Sequence, residues 1–371
     1  MRKVTFIFIC IPFFLFSQYT INKGYDNIEL RGNVTTYYKY RFYDDSLTTA
    51  EKMNKNLFKL KDLRIKLEGS SNKSEIEYEM HLDFANIVSG EHPVLDAYVK
   101  FNYPINTTLG FQKLPFSRHS MIAIIYSPWL KRAQIIDEGQ TRRDVGLHLK
   151  KAFLNEKIQI YGSVVNGEKD LVQENDKKAG VEYIGRVELA YPAKIKYRAI
   201  DIATSPIPVF SLGTSYRQST KGQNAFYDDE IYHKINGTKK SYGADFAMMF
   251  RGFSLLGEYH FIDYDWDQDT YPDRENWKTT GCLFEGNYFF KKYKSVLALR
   301  YDNTRINFYN MGSDDGNLGV KKETISIGYN FRINSHLNVL KIQFKKEING
   351  GVNHGDPSKY EIRIGLQYLI G

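Results

Sequence analysis

The chain has 371 residues, with 51 Lys and Arg against 43 Asp and Glu and a formal net charge of +8. Its cysteines are Cys10 and Cys282; with the first seventeen residues set apart only Cys282 remains, which excludes an intramolecular disulfide and a cysteine-built zinc site. Tyr (28) and Phe (24) are far more frequent than a soluble domain needs, yet mean hydropathy is only −0.46.

Arg2 and Lys3 open the chain, Val4 to Phe16 is an almost unbroken apolar run, and Ser17–Gln18 offers a small-residue cleavage site. The run is too short to span a bilayer as a helix, which takes roughly 20 residues. An export signal over residues 1–17 is predicted, leaving 18–371 as a single domain. A lipid attached at Cys10 is the lesser alternative, because apolar residues continue beyond it and no small residues precede it. No other segment approaches a spanning helix. Export, many aromatics and modest hydropathy together point to a transmembrane antiparallel β-barrel, whose strands hide their apolar signal by alternating it.

The alternation is plain along the chain. In "DLRIKLEG", Leu63, Ile65 and Leu67 share one face and Asp62, Arg64, Lys66 and Glu68 the other. "EIEYEMHLDF" and "LDAYVKF" repeat it, and the last strand sets Ile362, Ile364, Leu366, Tyr368 and Ile370 against Glu361, Arg363, Gly365 and Gln367. Aromatics gather near strand ends, as in "TTYYKYRFY" and "GNYFFKKY", where a barrel meets lipid headgroups. A soluble sandwich would alternate too, but the strands here are long and their polar faces densely charged.

Short links near 71–73, 103–107, 154–157, 251–252, 291–293 and 332–336 take turns with longer polar ones near 44–56, 86–92, 114–141, 166–178, 219–239, 265–276, 306–321 and 347–359. The proline-bearing stretch Tyr191–Ile207 reads as an unusually long periplasmic connection. Eight long loops and seven periplasmic links give about sixteen strands, an even number as in bacterial single-chain barrels.

Leu114–Thr141 is the longest connection, and "MIAIIYSPWL" within it is too apolar for a loop in water. Folding it into the barrel, where it narrows the pore, resolves that. Lys113, Arg118, His119, Lys131, Arg132, Arg142 and Arg143 surround it, against Asp137 and Glu138. Cations around a narrow channel concentrate anions, and an arginine fork fits an oxyanion.

The run "LEGSSNKSEIEYEMHLDFA", then "VLDAYVKFNY", "LGFQKLPFSRHS", "TRRDVGLHL" and "YGSVVNGEK", with "KSYGADFAMMFRGFSLLGEYHF" further on, resembles the phosphate-selective porin family of porin O and P type. The resemblance implies a sixteen-stranded pore in the outer membrane of a Gram-negative bacterium. It also implies a homotrimer, a loop folded into the lumen, and arginines and lysines lining a path for phosphate-like anions. Residue by residue it carries over to Lys113, Pro115 and Phe116, and to Arg142, Arg143 and Asp144. The chain departs from the usual aromatic C-terminus, its nearest aromatic being Tyr368.

The anion-pathway candidates are therefore Lys113, Arg118, Lys131, Arg132, Arg142 and Arg143, with Arg31 and Arg64 from the strands. Lumen-facing strand cations, Arg186, Arg217, Arg300, Lys341 and Arg363 among them, read first as a structural ion-pair lattice. Counting back from Leu149 turns Arg142 and Asp144 to the lumen and Arg143 toward the lipid side, at the rim. No catalytic pairing is visible among His81, His119, His148, His260 and His336, so no enzyme is expected, and no cofactor, metal or nucleic-acid partner. "DYDWDQD" (Asp263–Asp269) reads as a solvated acidic loop before a cation site. Asp228–Asp229 and Asp314–Asp315 read as acids of surface loops. Two functions stay open: a passive channel favouring small anions such as phosphate, and a receptor or scaffold whose lumen the long loop closes.

Overall fold

The structure, a computed structural model, describes residues 19–23, 26–43, 55–71, 75–138, 142–167, 180–221, 237–266, 277–308, 318–333, 338–350 and 358–370. The apolar leader 1–17, Thr141, Asp228, Asp229, Asp314, Asp315 and residues 267–269 of the acidic stretch lie outside them.

The polypeptide forms a closed antiparallel β-barrel of sixteen strands. After β1 (Tyr19–Lys23), which pairs with the start of β2, the wall runs β2 (Asp26–Tyr43), β3 (Lys55–Ser71), β4 (Ile76–Asp83), β5 (Val94–Phe101), β6 (Asn106–Lys113), β7 (Arg143–Phe153), β8 (Ile158–Val165) and β9 (Glu182–Tyr191). It continues with β10 (Val209–Lys221), β11 (Gly237–Phe250), β12 (Phe253–Trp266), β13 (Trp277–Phe290), β14 (Ser295–Phe308), β15 (Leu318–Arg332), β16 (Val339–Gly350) and β17 (Lys359–Ile370). Each strand pairs with the next, and β17 closes on β2 from Lys359↔Tyr43 to Ile370↔Gly32. Closure removes the edges that an open sheet would present to lipid.

Period-two alternation sorts the side chains. On β14, Leu297 and Leu299 face outward while Val296, Ala298, Arg300, Asp302 and Thr304 are buried inside. Aromatic stacks lie at strand ends: Phe42 on Tyr360 at 5.1 Å on one rim, Tyr288 edge-on to Phe290 at 4.7 Å on the other. Short turns mark the second rim. At Arg251–Gly252 both residues have positive φ, 46° and 88°, the hand that a two-residue hairpin needs.

The wall is uneven. Strands β4, β5, β6 and β8 have 8 residues each, whereas β11 to β14 have 14. On the low side a short helix, α1 (Phe84–Val88), follows β4, capped by Asp83. Between β2 and β3 the register shifts: Thr35 faces Asp62 but Thr36 faces Leu60, so Lys61 is an extra residue in the ladder.

The connection Tyr191–Ile207 is not simply a link along the rim. Its middle enters the barrel, where Ile195, Ala199 and Ile200 are buried in one apolar cluster with Ile122, Ile135, Leu256, Leu283 and Val296. Ser254 and Asn287 both donate to the Ala199 carbonyl, at 2.8 and 2.9 Å. Backbone inside the lumen is supported because inward-facing wall side chains supply its partners.

Candidate functional site

The segment between β6 and β7 lies in the lumen and leans on one side of it. It carries α2 (Arg118–Met121), a 3-10 turn (Ile124–Tyr126) and α3 (Gln134–Glu138). Ser117 caps α2 by accepting from the Ser120 N–H at 3.0 Å, and its hydroxyl donates to Glu258 at 2.7 Å. Glu258 also accepts from the His119 N–H. Further along, Lys341 donates to the Ser127 carbonyl at 2.8 Å, Asn330 and Gln343 to the Pro128 carbonyl at 2.9 and 3.0 Å, and Arg300 to the Lys131 carbonyl at 3.0 Å. All these partners come from β12 and β14–β16. An apolar loop with its own backbone unpaired would be costly there; the long-strand side of the wall supplies what it lacks.

Wall glycines make room for the loop's large side chains. A Cβ at Gly281 would lie 2.3 Å from Ile135, one at Gly365 2.9 Å from Leu130, and one at Gly328 3.1 Å from Trp129. Trp129 is 1% exposed, with the Arg300 guanidinium 4.6 Å from its ring centre. The 191–207 connection braces the same loop from beneath: the Ala199 N–H donates to the Tyr126 carbonyl at 3.4 Å, and Arg198 sits 5.0 Å over the Tyr126 ring. One half of the lumen is thus filled.

The other half holds a cavity of about 600 Å³ between the loop and β2–β5. Ten Lys and Arg line it against five Asp and Glu. The wall gives Arg31, Lys59, Lys61, Arg64 and Lys66; the ends of β6 and β7 give Lys113, Arg142 and Arg143; the loop gives Lys131 and Arg132.

A sequence profile of the family described as phosphate-selective porin O and P matches residues 29–370. The chain belongs to that family. This porin is a channel of the outer membrane. No curated protein matches it by sequence. Among solved structures it is similar to an anion-selective porin from Comamonas acidovorans, with TM-score 0.61, 15% identity, and 93% of this chain and 99% of that one covered. It is also similar to the outer membrane channel DcaP of Acinetobacter baumannii, with TM-score 0.58, 12% identity and coverage of 94% and 99%. A third is the trimer form of the outer membrane protein OmpT of Vibrio cholerae, with TM-score 0.58, 10% identity and coverage of 92% and 99%. At such identities the likeness is one of fold.

Seven of the eight candidates of this porin converge on the cavity: Arg31, Arg64, Lys113, Lys131, Arg132, Arg142 and Arg143. Arg118 does not. It lies behind the loop, 1% exposed, donating to Glu188 at 2.8 Å and to the Ile195 carbonyl at 3.2 Å, with Tyr197 beneath it. Arg143 is turned the opposite way from its sequence parity. Two 3.0 Å bonds hold its guanidinium on Asp96, inside the cavity wall. Arg143 is the first residue of β7 and pairs only with Lys113 of β6, since β8 joins at Gly146; the pleat there is enforced from one side alone.

Five of the ten cavity cations, Arg143 among them, are paired with carboxylates. Arg64 pairs with Asp62 and, at 2.8 Å, with Asp83; Lys61 with Asp62 at 2.8 Å; Lys66 with Glu68 at 2.6 Å and Glu79 at 3.2 Å; Arg31 with Glu29 and, at 3.1 Å, with Glu68. Arg132 braces the loop through the His119 and Ile122 carbonyls at 2.8 and 2.9 Å. Lys59, Lys113 and Lys131 stand differently: among the described residues none of them has an ion-pair partner, and Lys113 donates only to the Met121 carbonyl at 3.0 Å. Burial and the neighbouring Arg363 hold the Lys131 ammonium below the usual lysine range. Lys59 and Lys61 were not among the sequence candidates. The signal for them was the repeated lysine in "KNLFKLKDLRIK", blurred by the extra residue at Lys61.

Glu79, His81 and Asp96 lie close enough to hold a metal ion, but each is engaged. His81 Nδ1 is 3.2 Å from Asp96, Asp96 holds Arg143, and Glu79 holds Lys66 and the Tyr98 hydroxyl. Behind the loop, His260 meets Glu258 at 3.1 Å and His119 lies 3.8 Å from Glu285. Among the described residues no serine donates to either histidine there, and the Ser117 hydroxyl is taken by Glu258.

Proposed function

We propose that this outer-membrane channel favours anions, phosphate and related oxyanions among them, passing them by diffusion between the inserted loop and the β2–β5 wall. The observation that carries the reading is the cavity's basic excess, ten Lys and Arg against five Asp and Glu, together with Lys59, Lys113 and Lys131, which face it without ion-pair partners among the described residues. Matched cations contribute little net field. Unmatched ones attract anions, and several moderate sites allow passage where one tight pocket would trap the ion. The similar porin from Comamonas acidovorans is anion-selective, which is consistent with this.

The same proposal places the mature chain in lipid as a homotrimer, supported by family membership and by the trimeric neighbour. Residues 1–17 serve as its export signal. Residues 114–141 act as the constriction.

Reversal potentials of the purified protein in planar bilayers under a potassium chloride gradient test the reading. Anion-favouring potentials are expected. Cation-favouring potentials would overturn the selectivity, and an absence of conductance steps would leave the receptor or scaffold alternative.

A further inference from the structure

The cavity has two unlike sides. Facing the cations is the loop stretch "AIIY", Ala123–Tyr126, four consecutive uncharged residues that all line the cavity. Leu95 adds apolar surface from the wall side; Ala85 and Leu130 also line the cavity but are buried. Ile122 and Ile135 are turned into the apolar cluster behind the loop; Ile125 is outside that cluster and only half-buried.

Each backbone carbonyl along this ledge already accepts a hydrogen bond. The Met121 carbonyl takes Lys113, Ile122 takes Arg132, and Ala123 and Ile124 take the Tyr126 and Ser127 N–H groups at 2.9 and 3.1 Å. Ile125 takes Gln367 at 3.3 Å and Tyr126 takes the Ala199 N–H at 3.4 Å. Apart from the Tyr126 hydroxyl, what the ledge presents to a passing solute is therefore side-chain hydrocarbon. A small hydrated inorganic ion gains nothing from such a surface, whereas an apolar group laid on it leaves water.

We propose that the channel prefers organic anions with an apolar flank: the carboxylate is drawn to Lys59, Lys113 and Lys131 while the hydrocarbon lies on the Ala123–Tyr126 ledge. The inference rests on the anion-favouring reading above. Charge complementarity sets the end that leads, and the ledge discriminates among anions of equal charge.

A carboxylate series of fixed charge and growing chain tests it. Half-blocking concentrations of acetate, butyrate and hexanoate against the chloride current are measured on the purified channel, with hexanol as the neutral control for effects on the bilayer. Half-block is expected to fall roughly two- to fourfold for each methylene that reaches the ledge, and hexanol is expected to be without effect. In Ile125→Ser the chain-length dependence shrinks relative to the parent, and an undiminished dependence overturns the inference. A flat series in a channel that still prefers chloride overturns the inference and leaves the anion reading standing. Loss of chloride preference in the unaltered protein overturns the anion reading itself. Equal block by hexanol also overturns the inference, because the hydrocarbon would then act without the charge.

Discussion

Lys59 and Lys131 are exposed to the cavity and carry no ion pair among the described residues, so they are the cations whose removal changes the field most and the fold least. A sphere of 600 Å³ has a radius of about 5 Å, so an ion near the cavity centre is about 6 Å from a lining ammonium. In the dielectric of bulk water that pair is worth ~0.7 kcal/mol, and at 0.1 M salt screening brings it to ~0.4 kcal/mol. Removing the charge raises the energy of an anion there by that amount and lowers that of a cation equally. The gap narrows by ~0.8 kcal/mol, roughly fourfold in preference per lysine and about fifteenfold for the pair. The assay is the reversal potential of K59Q/K131Q in a potassium chloride gradient, with K291Q, on a short turn of the opposite rim, as the control. In 1 M salt the difference between double variant and parent is expected to collapse, because the screening length falls to about 3 Å. An unchanged reversal potential at 0.1 M, in a channel of normal conductance, would refute the reasoning and place the selecting charges elsewhere.

The remaining predictions address how the loop is held. Arg118→Ala removes one of the two guanidinium groups on the buried Glu188 carboxylate, Arg186 remaining at 3.1 Å, so it should cost about 1.5–3 kcal/mol of stability; heat-induced unfolding in detergent reads this, and ion selectivity in the folded fraction should not change. Gly281→Val puts side-chain atoms where Ile135 sits, which pushes the loop off the long-strand wall toward the cavity; single-channel conductance is expected to fall, and a rise would mean that the loop leaves the lumen instead. Burial, and next Arg132, push His119 down to about 3, so the unfolded chain takes up a proton below about 6.5 that the folded one refuses. Stability should therefore drop as pH falls from about 6.5 toward 3, and His119→Gln should flatten that slope by up to one proton, read from melting temperature against pH.

The wall was legible because lipid imposes one rule on every strand. "DLRIKLEG" and "EIRIGLQYLI" each separate an apolar face from a polar one, and the alternation of short turns with long links fixed the strand count. The loop was legible for the converse reason: "MIAIIYSPWL" fits neither water nor a strand. The entry of Ile195, Ala199 and Ile200 into the lumen was not legible, since the alternation in "AKIKYRA" is what any strand shows and the stretch has no continuous apolar run. Its signal lay on the strands facing it. Ala247, Leu256, Leu283 and Val296 interrupt otherwise polar inward faces, which makes sense only if something apolar covers them. Arg118 shows a different limit. Spacing places it beside Lys131 and Arg132, but a loop has two sides, and which side a cation takes depends on a carboxylate, Glu188, seventy residues away.

The seating of the loop also fixes an order of events. Residues 114–138 are made early, but their partners come late: Gly328 accommodates Trp129, Gln343 holds the Pro128 carbonyl, and Gln367 holds that of Ile125, a sequence separation of 242 in the last pair. The first strand of the wall likewise waits for the last, β2 for β17. Until the final strand is delivered the sheet has two open edges and the loop has nowhere to dock, so its hydrocarbon must be shielded by something else in the interim. Closure of the sheet and filling of its interior then complete in a single late step, and a chain truncated within β17 would lose both together.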